Sequence, residues 1–528
     1  MNLKANEAVI RTVLTSPAGA APVRGQGVLL HPASVHKLPS GTVMLIAEDA
    51  GGGYLIEWGT SSSPRFLGDD RSRAVFRWDG GRLSVLPLTT VLVEELAEEL
   101  PWSKPVPIGS RRPSFGWGNR TLLSTLVVLG LFREWQHRDR FGVVIAQNSV
   151  RENEILERHL GFREVTCSAA LAKIVTGYTW PTGSDADHLK TLEEIDDAVR
   201  AGFTGFTIDP SAVLRKTEGV IASGERTLED IANDPGLQRL YDASVQRNHL
   251  DGLLDRVLGR LETEFGEFRS GDRFLDRRLA MAAIAKFGNS ISFVHLSYDH
   301  LRRSLGKPFD FEASFDETEA PTPPLAHLLI AEALVGMGVE LTRFAVRFVG
   351  RFEKTTDYIG DLSAFRADLE RHQRVAKRFG YLLSIHSGSG KYSLYPHLPG
   401  VHLKMSGDLS RPIVVALART DFDLYARLHA DLIESAKSTK KLYGAVSSPS
   451  NDFDALPRDV RCMKPEEVVN LLETDVRWRT MSHYAYGMFK RAEGLFAQSL
   501  FDHREAYVAE VAKTILAHRD PIAKANGL

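Results

Sequence analysis

The chain has 528 residues, 43% of them apolar, and a formal charge of −2 from 65 basic and 67 acidic side chains. That length calls for more than one minimal domain, and the balanced charge excludes a long-range pull towards nucleic acid or an acidic membrane, so a small molecule is the expected partner. Two cysteines, Cys167 and Cys462, without CxxC spacing exclude a disulfide framework or a thiolate zinc site and suit a reducing, cytoplasmic setting.

The N-terminus lacks a continuous apolar signal region, and no run is expected to reach the length of a membrane span. Short alternating runs such as "TVMLIAED", "YLIEWGT" and "AVFRWDGGRLSVLPL" predict a small β-rich module over residues 1–110. The Pro- and Gly-rich stretch "WSKPVPIGSRRPSFGWGNR" reads as the crossover into the next domain.

From there, apolar runs alternate with amphipathic helices. "FGVVIAQNSV", "AGFTGFTIDPS", "DFEASFDETE", "TRFAVRFVGRFE", "YLLSIHSGSGK" and "GVHLKMSG" each have the length and flanks of a buried parallel strand. The repeated order of strand, polar loop and helix predicts an α/β fold, a (β/α)8 TIM-like barrel over residues 111–408, with a C-terminal helical part over 409–528 packed on it. No GxGxxG follows a strand and no GxxxxGK[ST] occurs, so nucleotide binding is not signalled.

The C-terminal strand ends of such a barrel carry its chemistry. They deliver Asp185, Asp187, His188 and Lys190; Asp209; Glu312, Asp316 and Glu317; Arg347, Glu353 and Lys354; His386, Ser387, Ser389 and Lys391; and His402 and Lys404. Imidazole nitrogen and carboxylate oxygen together suit a divalent ion such as zinc, manganese, iron or nickel. The expected ligands are Glu312 or Glu317, His386 and His402, with His188 beside them. Arg347, Lys354, Lys391 and Lys404, helped by Ser387 and Ser389, are expected to meet an anionic or polyhydroxylated substrate.

Plainer readings compete. A strand-end histidine also serves as a structural tie. "SDADHLKT" also reads as a helix start with Asp187 near the cap, and "FDETEAPTPP" as an acidic first turn with Thr322 capping and Pro323 at the first helical position. "SGSGK" reads as a turn as readily as an anion-binding nest of amides.

Together, "IAQNSVREN", "GSDADHLKT", "GFTGFTIDPS", "FDETEAPTPP", "RFVGRFEKTTDYIGDL", "FGYLLSIHSGSGKYSLYP" and "VHLKMSG" resemble the tagaturonate/fructuronate epimerase family in order and spacing, over roughly residues 110–490. The resemblance implies a metal-dependent barrel enzyme that inverts carbon 4 of a 2-keto hexuronate. Breaking and remaking the bond between C3 and C4 requires a base for the O4 proton, a role that falls to Asp187, with Asp209 and Lys190 as the neighbouring catalytic candidates. The chain departs from the family pattern at Gly390, where an acidic residue is expected, and in "MSGDLSRPI" after "HLK". Without that acidic partner, Lys391 is expected to be free for substrate, or the change marks a different substrate. A metal-dependent sugar aldolase or isomerase, and a sugar-binding regulator without turnover, remain the alternatives. A homo-oligomer is left open.

Overall fold

The computed structural model describes residues 3–15, 21–59, 74–78, 80–214, 226–318, 320–405, 409–443, 449–491 and 493–528. Six strands come first: β1 (Val23–Arg24), β2 (Leu29–Lys37), β3 (Val43–Asp49), β4 (Gly52–Gly59), β5 (Ala74–Trp78) and β6 (Gly81–Pro87). They form one antiparallel sheet in the order β1-β2-β3-β4-β6-β5.

Period-two alternation explains how this sheet is used. On β3, Leu45 and Ala47 join Ile10, Val13 and Leu14 of the helix Leu3–Thr15 in a small core of their own. Met44 and Ile46 point the other way, into the main core of the molecule. Burying side chains of this kind contributes about 1.5–3 kcal/mol each, so both faces of the sheet are committed.

Eight further strands follow: β7 (Ser114–Gly118), β8 (Gly142–Ser149), β9 (Gly183–Leu189), β10 (Gly205–Ile208), β11 (Asp310–Phe315), β12 (Arg343–Val346), β13 (Leu382–Ile385) and β14 (Val401–Met405). They are parallel and form a closed barrel, completed where His402 of β14 pairs with Ser114 of β7. This is the α/β barrel with an antiparallel N-terminal sheet and many helices that the alternation predicts.

Two elements depart from the sequence reading. The Pro- and Gly-rich crossover contains β7, the first barrel strand; its SFGWG sequence is buried throughout, and a Cβ at Gly116 would meet Gln147 Oε1 at 1.9 Å, so that side chain would have to shift. Residues 183–189 form strand β9 rather than a helix start, and the helix begins at Leu192 with a capping box between Thr191 and Glu194.

The turn after β11 also differs by one position. Its helix runs Pro324–Gly336 with Pro323 at the cap, while Thr322 exchanges backbone and hydroxyl hydrogen bonds with Arg347. Residues 406–408, in the stretch that departs from the family pattern after "HLK", lie outside the described residues.

The helix Arg273–Leu305 corrects another expectation: an 18-residue window has mean hydropathy 1.3, long and apolar enough to cross a membrane. Within this fold 67% of that window is buried, and the helix packs against the helices Leu237–Asn248 and Pro324–Gly336. Those contacts are what a core helix makes.

Candidate functional site

Residues two apart on a strand share a face. Hence Asp185 and Asp187 of β9, Glu312 and Ser314 of β11, and His402 and Lys404 of β14 come in pairs, with Asp187, Ser314 and Lys404 nearer the C-terminal ends of their strands. Lys404 is the hub. Its Nζ lies 2.7 Å from Asp185 Oδ2, 2.7 Å from Asp187 Oδ1 and 3.1 Å from Glu312 Oε1, and donates to Thr207 Oγ1 at 2.7 Å. Burial opposes its charge, but the three carboxylates raise its pKa well above the ordinary lysine range.

Two histidines neutralise the rest of this acidic floor. His386 Nε2 is 2.6 Å from Glu312 Oε1, and its Nδ1 is 3.2 Å from Asp316 Oδ2. Burial resists the imidazolium, yet Asp316 and its neighbours push its pKa up to about 9. His188, whose ring centroid is 4.9 Å from that of His386, places Nδ1 3.0 Å from Asp187 Oδ1. Despite burial, Asp187 carries the His188 pKa well above the usual value. In return, although burial works against ionisation, Lys404 and His188 hold Asp187 well below the ordinary carboxylate range.

His402 behaves oppositely. Burial, reinforced by Arg343, drives its pKa well down, so it is neutral. Its Nδ1 shares a hydrogen bond with Ser114 Oγ at 2.7 Å, and its buried Nε2 has no hydrogen-bond partner; the same is true of Glu312 Oε2. To one side, Lys190 Nζ bridges Asp209 Oδ2 at 2.9 Å and Glu317 Oε2 at 3.0 Å.

Three sets of side chains bring ligand atoms within 4.8 Å of one another: Asp187 with His188 and His386, Asp185 with Glu312 and His402, and His188 with Asp209 and Glu317. Six carboxylates here face four cationic groups, Lys190, Lys404, His188 and His386. The excess negative charge and the two orphaned atoms fit a divalent cation.

A cavity of about 370 Å³ opens above the floor. Of the expected residues, Asp187, His188, Lys190, Glu317, Lys354, His386, Ser387, Ser389 and Lys404 line it, whereas Asp209, Glu312 and His402 do not. Three of the residues around it hold left-handed backbone conformations unusual for side chains of their kind: His188 (φ 56°), Thr355 (φ 62°) and Ser387 (φ 50°). Such strain persists where the surrounding structure enforces it.

Two expected substrate contacts are placed differently. Arg347 lines a neighbouring cavity of about 180 Å³ with Phe348, Phe352, His386 and Ser387, and donates to the Thr318 carbonyl. Lys391 lines neither cavity; its ammonium donates to the carbonyls of Glu353 and Thr356 at 2.8 Å each and of Ser389 at 3.2 Å. The glycine at 390 therefore does not free Lys391 for substrate, because carbonyls take up its ammonium. Gly390 itself has φ 70° and donates its amide to His518 Nε2 at 3.1 Å.

The opposite wall comes from residues that strand-end reasoning does not reach. Arg120, just beyond β7, pairs with Glu152 at 2.7 Å and stacks 4.0 Å over the Tyr486 ring. Arg151, Tyr443 and His483 also line the cavity, the last two from the C-terminal helical part. "NSVREN" carries a weak signal for Glu152, since Ser149 and Glu152 form a capping box; nothing local marks Tyr443 or His483.

Residues 31–521 match the sequence model of the family described as UxaE, tagaturonate epimerase. A tagaturonate/fructuronate epimerase of Thermotoga maritima is 33% identical over 440 residues, covering 81% of this chain and 84% of the relative. The native and glycerol-complexed crystal structures of fructuronate-tagaturonate epimerase UxaE from Cohnella laeviribosi superpose with a TM-score of 0.77 at 25% identity, covering 99% of this chain and 100% of theirs.

Proposed function

Because the chain belongs to the tagaturonate epimerase family, and so to the carbohydrate epimerases, we propose that it interconverts tagaturonate and fructuronate by metal-dependent retro-aldol chemistry in the cavity above the acidic floor. The observation that carries this reading is the excess of carboxylates around His188, His386 and the neutral His402, with orphaned ligand atoms on Glu312 and His402.

The hydrogen on C4 is not acidified by the C2 carbonyl, so direct deprotonation is unfavourable. Breaking the bond between C3 and C4 needs only the O4 proton to leave: O4 becomes the aldehyde oxygen, and the electron pair of the broken bond stays on the fragment carrying C3. Rotation of the aldehyde and re-formation of the bond on its other face invert C4. A divalent ion held by Glu312 and His402, which lie in one set with Asp185, and by His386, which reaches the same Glu312 and would give up its second proton to ligate, with His188 and Glu317 at the edge, would supply Lewis-acid stabilisation of the developing negative charge.

Asp187 is the base on O4. It lines the cavity and is ionised, so it can take the proton from O4 and return it once the bond has re-formed. Asp209 serves Lys190 instead, and that lysine is held charged between two carboxylates. A cytoplasmic enzyme fits the two unpaired thiols.

Substrate deuterated at C4 tests the mechanism: the label should stay on C4 with no primary isotope effect. A large primary effect, or undiminished turnover by protein stripped of metal, would overturn it.

A further inference from the structure

The cavity has an acidic floor, and its other wall holds cations. Most of those cations are already committed: Lys190 to Asp209 and Glu317, Lys404 to three carboxylates, and Arg120 to Glu152. Two lining cations, Arg151 and Lys354, make no hydrogen bond or ion pair with any described residue. Arg151 is exposed, whereas Lys354 is half-buried, with Nζ 3.8 Å from the Tyr443 ring centroid and 5.2 Å from that of Tyr484. An aromatic face stabilises an ammonium without using its N–H donors, so those donors remain for a ligand.

The loop carrying Lys354 is built to hold it there. Arg351 and Ile359 exchange backbone hydrogen bonds, Lys391 clamps the carbonyls of Glu353 and Thr356, and Thr355 Oγ1 meets Thr480 Oγ1 at 2.6 Å. A mobile surface lysine needs no such fixture.

We propose that Lys354, boxed by Tyr443 and Tyr484, receives the carboxylate of the sugar-acid substrate and makes the enzyme select uronates over neutral ketoses. This rests on the epimerase reading and assigns the end of the substrate away from the reacting carbons. In a retro-aldol step the carboxylate of a uronate is unchanged before and after the C3–C4 bond breaks, so this contact contributes binding alike to ground state and transition state and acts on KM. Burial, then Arg120, pulls the Lys354 pKa down to about 8, against the opposing pull of Glu152 and Glu317. An arriving carboxylate supplies the partner that the protein withholds.

The test compares wild type, Lys354→Met and Lys354→Arg in tagaturonate turnover and in binding of two unreactive probes, galactonate and its neutral counterpart galactitol. Lys354→Met should raise KM for tagaturonate and weaken galactonate binding by about ten- to a hundredfold, the loss typical of a charge-assisted hydrogen bond. It should leave kcat within about threefold and galactitol binding within about twofold, with Lys354→Arg restoring most of the affinity. Equal loss for both probes, or a collapse of kcat at unchanged KM, would overturn the assignment. Wild type that binds galactonate but does not turn over tagaturonate would sink the epimerase reading alone, and the galactonate comparison would still decide the role of Lys354.

Discussion

His386 Nε2 lies 2.6 Å from Glu312 Oε1, so the imidazole after β13 reaches past β12 to a carboxylate on β11. If this pair helps hold a divalent ion, His386→Ala should weaken metal affinity by at least about tenfold, as losses of such groups do. Competition with a chromophoric chelator measures it, and full metal occupancy in the variant would remove His386 from the site.

Asp310 and Arg343 form a second buried pair, 3.3 Å apart with both side chains 1% exposed. Asp310 also accepts from the amides of Ile108 and Gly109 at 2.8 Å, tying the linker to the barrel. Asp310→Ala strands the guanidinium and should cost about 3–5 kcal/mol. Equilibrium denaturation showing a loss below about 1 kcal/mol would mean that the pair is solvated or re-partnered.

Lys354 links function to stability through pH. Its pKa of about 8 in the folded chain lies below the ordinary lysine value of 10.5, so the unfolded chain holds the proton more tightly between those pH values. Folding stability should therefore rise with pH from about 8 to about 10.5, and the full cost of holding the ammonium is present below about 8. Lys354→Met should be more stable than wild type at pH 7 by roughly 1–3 kcal/mol, with the advantage shrinking from about pH 8 and gone by about pH 10.5. Melting curves across that range check it; a variant less stable at pH 7 contradicts the sign.

Gly350 has φ 85°, and a Cβ there would lie 2.3 Å from Tyr358 Oη, whose hydroxyl donates to the Val349 carbonyl at 3.0 Å. Gly350→Ala should therefore displace the loop bearing Lys354, raising KM for a uronate several-fold while the melting temperature falls only slightly. Unchanged kinetics would show that the loop tolerates the shift.

The two thiols should differ in reactivity. Cys167 is buried, and desolvation, reinforced by Glu94, pushes its pKa to about 12, whereas Cys462 is exposed. Brief alkylation of native protein at pH 8, read by mass spectrometry, should label Cys462 alone; rapid labelling of Cys167 would indicate that its helix opens readily.

The barrel was legible because its strands are buried on both faces and read as mostly apolar runs, as in "FGVVIA" and "YLLSI". β7 was hidden because three of its residues are Ser or Gly, which carry little β propensity; Gly116 lies close against Gln147 and Ser114 bonds His402. The acidic floor could be read from strand ends because each polar side chain there directly follows, or alternates with, an apolar run. The roles of Lys391 and Lys404 could not. Sequence shows a cation but not whether carbonyls or carboxylates already surround it, and that difference separates both residues from Lys354. Tyr443 and His483 were invisible for another reason: one caps the end of the helix Phe422–Leu442 and the other sits on the helix Val476–Tyr484, and only tertiary packing brings them to the cavity.

The Thr355–Thr480 contact has a consequence for synthesis on the ribosome. The wall residues Tyr443 and His483, and Tyr484 beside Lys354, lie far downstream of the floor, and β14 must emerge before it can zip to β7. A nascent chain ending near residue 430 thus holds every carboxylate and imidazole of the floor but lacks the box around Lys354. Ligand capture should begin late and abruptly, as the final helices leave the exit tunnel, and galactonate binding to ribosome-stalled chains of increasing length would locate that step; binding already complete at residue 430 would place the anchor elsewhere.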